Sequence, residues 1–92
     1  MAVGRADRRE DRRERVTAAL GEHQAPIALD LLELTELAWH DCYGEVTPSE
    51  DIIDDMLLLS RGDIDRLIQA ARLAVTDWRD LKVAADKTRH RT

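Results

Sequence analysis

The apolar positions divide the chain into helical stretches separated by short polar breaks. Val16, Ala19 and Leu20 recur at i, i+3 and i+4 behind a segment, RADRREDRRER, that carries no apolar stripe. Gly21 weakens continuation and Pro26 forbids it, so a first helix is expected over residues 7–22. A second starts at Pro26, a residue suited to a first turn, and runs to Tyr43 with Gly44 as its left-handed cap.

At about 100° per residue, one half of the second helix is apolar. That half holds Ile27, Ala28, Leu31, Leu32, Leu34, Ala38, Trp39, Cys42 and Tyr43. Asp30, Glu33, Glu36, His40 and Asp41 lie opposite, with Leu29 and Leu37 among them. Such a helix is the centre of the fold, or touches something on both faces.

Thr47-Pro48-Ser49-Glu50 has the spacing of a capping box, with Thr47 as cap and Glu50 reaching back. The third helix behind it buries Ile52, Ile53, Met56, Leu57 and Leu59, while Asp51, Asp54, Asp55 and Leu58 face away. Ser60 then caps a fourth helix over residues 61–87, whose stripe is Ile64, Leu67, Ala71, Ala74, Trp78, Leu81 and Ala85. Ile68 and Val75 widen that stripe. At 1.5 Å per residue this helix reaches about 40 Å, against roughly 20 Å for the third. Its C-terminal half is therefore expected to pack on the first helix or on another subunit.

Composition sharpens this picture. With 92 residues there is room for one small domain. There is no Phe, and 36% of residues are charged, which favours an all-α protein with solvated outer faces. The expected fold is a small antiparallel bundle of three main helices plus a charged N-terminal helix. Residues 1–15 form a charged arm, 16–87 the bundle and 88–92 a basic tail without order. A single cysteine excludes an internal disulfide. No export signal is visible at the start, and the longest apolar run, Met56 to Leu59, is far too short to span a membrane. A cytoplasmic location is expected.

Charge is uneven. Residues 1–15 hold six Arg against four acids, and residues 82–92 hold four basic residues against Asp86. Between them lie four Arg and fourteen acids. An acidic body repels phosphate backbones, which argues against a general nucleic-acid binder.

The stretch Trp39-His40-Asp41-Cys42-Tyr43-Gly44-Glu45 concentrates reactive side chains, but on a helix His40 and Cys42 point in nearly opposite directions. They cannot share a metal, and no second Cys or His completes a zinc set. The paired acids are different. Glu33 and Glu36 lie one turn apart, as do Asp51 and Asp54, and two such pairs on neighbouring helices have the donor chemistry for Mg²⁺. E-x-x-E, fourteen residues, D-x-x-D is similar to the carboxylate pattern of the MazG-like all-α nucleoside triphosphate pyrophosphatases. The likeness covers residues 33–54 and departs from that family's E-x-x-D in its second pair. It implies a Mg²⁺-dependent nucleotide hydrolase using those four acids.

The favoured expectation is a non-enzymatic helical protein-interaction module without a cofactor, binding a protein partner or a second copy through the long C-terminal helix. Its contact residues would be Leu29, Leu37, Leu58, Leu73, Trp78 and Leu81. The alternatives are the Mg²⁺ hydrolase and a DNA-associated regulator with basic arms.

Overall fold

The computed structural model describes residues 4–91; the side chain of Arg5, and the extreme ends of the predicted arm and tail, lie outside the described residues. Among the described residues there are five helices and no strand: α1 (Arg5–Leu20), α2 (Ala25–Tyr43), α3 (Glu50–Ser60), α4 (Ile64–Thr76) and α5 (Trp78–His90). None is long and apolar enough to cross a membrane.

α3 is the hub. It packs on α4, α5 and α1, while α2 packs on α1 and α4. The core at these contacts is aliphatic: Val16 and Leu20 from α1, Leu29 and Leu32 from α2, Ile53 and Met56 from α3, Leu67 and Ala74 from α4, and Leu81 from α5. The radius of gyration, 12.4 Å, equals the roughly 12 Å of a compact chain of this length. Gln24 donates to the Gly62 carbonyl at 3.0 Å, and the Tyr43 hydroxyl donates to the Ala74 carbonyl at 2.9 Å. The first contact ties the starts of α2 and α4, the second their ends, so these two helices run in the same direction.

Four expectations are corrected. The fourth helix is two helices. Asp77 turns extended at φ −158°, closes α4 through its N–H to the Leu73 carbonyl, and caps α5 by accepting from the N–H groups of Arg79 and Asp80. α5 therefore folds back on α3 and buries Leu81 and Ala85 inside the chain, so no overhang is left for a second subunit. Ser49, not Thr47, caps α3, because Glu50 turns away from the backbone toward Arg12 and Arg15. Asp63, not Ser60, caps α4.

The fourth concerns the charged segment: α1 runs through it as expected, but the segment is not wholly solvated, since Arg12 is only 2% exposed. The absent apolar stripe is replaced by a stripe of arginines, Arg8, Arg12 and Arg15, at i, i+4 and i+7 on one face. The C-terminal tail likewise stays helical to His90.

Candidate interaction surface

Three of the four acids proposed as metal ligands, Glu33, Glu36 and Asp54, pair with arginines of α1. Glu36 is buried on α2 and accepts from Arg8 and, at 3.1 Å, from Arg12. Arg12 continues to Glu50 at 2.8 Å and to the Thr47 hydroxyl at 3.1 Å. Arg15 pairs with Asp54 at 2.5 Å and also with Glu50. Arg9 holds Asp30 at 2.7 Å and Glu33 at 3.3 Å. Asp51 stands apart, beside a cleft between the α2–α3 loop and α5. Among the described residues no group of three or more His, Cys, Asp or Glu is placed to hold a metal ion.

The titration behaviour agrees. Burial alone would raise the Glu36 pKa. The hydrogen bonds from Arg8 and Thr47 and the charges of Arg12 and Arg8 outweigh it and hold the carboxyl below its ordinary value. Burial also opposes ionisation of Glu50, and the bonds and charges of Arg12 and Arg15 lower it in the same way. A second buried carboxylate, Asp55 on α3, is gripped by Lys82 at 3.1 Å and Arg89 at 2.6 Å from α5. Asp55 was expected to face away from the core; its two basic partners make its burial possible. Of the basic residues near the two ends, Arg8, Arg9, Arg12, Arg15, Lys82 and Arg89 are thus engaged within the chain.

The predicted contact leucines scatter. Leu29 and Leu81 are core residues, at 1% and 0% exposure. Leu58 and Leu73 are half-buried. Leu37 is exposed beside Arg8, His40 and Val46. Trp78 is half-buried in the Asp51 cleft, a space of about 310 Å³ that Trp39, Glu45 and Lys82 also line, with the Arg79 guanidinium 5.4 Å from the Trp78 ring centre.

The surface that the structure does assemble lies elsewhere. α2 is rotated by about 70° from its expected phase, so that Ala28, Leu29, Leu32 and Trp39 form its buried side. Ile27 and Leu34 are left 61% and 62% exposed. On neighbouring α4, Ile68 is 42% exposed and Val75 half-buried. Between the helices Leu31, Leu34, Thr35 and Ala38 face Ile68, Ala71, Arg72 and Val75 across a shallow groove of about 180 Å³. Cys42, expected to be a buried hydrophobe, is exposed one turn beyond Ala38 on the same side of α2. Sequence reasoning missed this face because it assigned Ile27, Leu34 and Ala38 to the core. The available signal was that α2 has more apolar positions than one buried side accommodates.

No protein-family model, curated protein or solved structure matches this chain.

Proposed function

We propose that this chain is a small cytosolic helical protein-interaction module that docks through the α2/α4 face. The observation that carries this reading is that Leu34 and Ile68, each more than two-fifths exposed, line one apolar groove, with Ile27 exposed two turns before Leu34 on α2. Single exposed apolar residues are ordinary on any protein, whereas a contiguous face of them marks a contact surface. In this reading the short connections make sequence neighbours antiparallel, and the arginine stripe of α1 stiffens the bundle that presents the face.

A photoreactive amino acid placed at Leu34 or at Ile68, with Asp86 on α5 as the control position, tests the reading in the cells that make the protein. A discrete cross-linked species at Leu34 and Ile68, absent at Asp86, is expected. Its absence at both, or the same smear at all three positions, contradicts the reading.

A further inference from the structure

We infer that the occupant of the α2/α4 face is a second copy of this chain. The inference rests on reading that face as a docking surface, and charge identifies the partner. α2 contains no Lys or Arg; its outer edge carries Asp30, Glu33 and Asp41. Arg9 neutralises part of that edge, but the Asp41 side chain is 88% exposed and, among the described residues, meets only the neighbouring His40, at 3.9 Å. On the α4 side of the groove Arg72 is exposed, with no acid within ion-pair distance among the described residues. One face therefore has an apolar centre, an edge on which Asp41 is the acid left without a basic partner of α1, and an unpaired Arg72 on the other edge.

That layout is self-complementary. In a two-fold dimer the same patch serves both copies. If the axis ran across the groove, α2 would meet α2 and the acidic edges would repel. With the axis along the groove, α2 of each copy lies over α4 of the other, and each Arg72 faces an acidic edge while the apolar centres meet. Arg72 finds no such partner inside one chain, because the acids stand on the far side of α2. Asp65, two turns before Arg72 on the same face of α4, opposes the pairing, so Arg72 carries the favourable charge contact of this edge alone.

Size sets the strength. A 19-residue and a 13-residue helix lying side by side about 10 Å apart present on the order of 500 Å² per copy. Twice that is the low end of specific interfaces, so a dissociation constant of roughly micromolar magnitude or weaker follows.

Sedimentation equilibrium between about 10 μM and about 1 mM spans that range. The wild-type chain is expected to pass from monomer to dimer. Leu34→Asp, at an exposed site that leaves the core intact, should weaken association about tenfold or more. Arg72→Glu should weaken it severalfold, and Val83→Asp, on exposed α5 surface, should not change it. Circular dichroism establishes that each variant is folded. A dimer indifferent to both Leu34→Asp and Arg72→Glu, or equally sensitive to Val83→Asp, overturns the inference. So does a monomer throughout. If photo-cross-linking at Leu34 still yields a discrete species in that last case, the docking face stands with a different protein as occupant. If it does not, both readings fall. Alkylation of Cys42 gives an independent check, because its rate should drop as concentration rises if this face closes on itself.

Discussion

At the scale of single residues, the chain is held by charges placed where aliphatic side chains would ordinarily sit. Arg12 lies buried between three helices, and no buried side-chain polar atom among the described residues lacks a hydrogen-bond partner. Such a pair adds little net stability, but removing one member strands the other in a dry site. Arg12→Met should therefore cost about 3 kcal/mol, the low end of the range for a broken buried pair because Arg8 still reaches Glu36. Replacing Glu36 by Met in the same chain should recover part of that loss, and urea unfolding of the three proteins measures both.

Acid should act through the same residues. Glu36 and Glu50 release their protons more readily in the folded chain than in the unfolded one, whose ordinary value is 4.5. The stability they contribute is then complete above that value and is lost as pH falls through the depressed folded values. The urea midpoint should hold steady above about pH 5 and fall steeply below about pH 4. A midpoint that rises on acidification would contradict the network. None of this was legible in the sequence. The acids at 33, 36, 51 and 54 were visible as pairs on helices, but their spacing fits a metal site and an arginine clamp equally well. The docking of α1 engages Glu33, Glu36 and Asp54 and leaves Asp51 outside the clamp.

At the scale of elements, the helices were legible where apolar periodicity or glycine punctuates them. Gly44, at φ 74°, ends α2 at the predicted residue, because a left-handed turn there favours glycine. Boundaries set by competing polar side chains were not. Thr47 and Ser49 both have cap chemistry, and the pull of Arg12 on Glu50 selects Ser49. The break at Asp77 was hidden beneath an unbroken heptad stripe from Ile64 to Ala85, since α4 and α5 each keep their own period across it. Its signal was local: Asp77 followed by Asp80, the pattern of a cap and an acidic first turn. Tyr43 meets the consequence of the break, donating to the Ala74 carbonyl, one of the last four in α4 that no helical N–H can reach. Asp77→Ala removes the cap and should lower stability by about 1 kcal/mol, measured by thermal or urea unfolding. Asp77→Asn or Ser, which can still accept from those N–H groups, should retain most of it.

At the scale of the whole molecule, the ion pairs and the exposed apolar face are connected. The side of α2 that would otherwise face solvent as its acidic surface is covered by α1, through Arg8 and Arg12 on Glu36 and Arg9 on Asp30 and Glu33. With α4 on its other flank, α2 presents Ile27 and Leu34 outward because both neighbouring sides are occupied. The all-α class and the two-sided character of α2 were readable from the sequence. Which of its two apolar sides stays open was not, because that choice depends on where an arginine-rich helix docks. The inferred dimer closes this open side of α2 and the adjoining side of α4 on a second copy. Amide NMR spectra across a dilution series, from about 1 mM to about 20 μM, test it most directly, since a weak dimer of this size exchanges within that range. Concentration-dependent shifts confined to the amides around Leu34, Ala38, Ile68, Arg72 and Val75 are expected. Shifts centred on Trp78, Lys82 and Val83 instead, or spectra unchanged across the whole series, would contradict it.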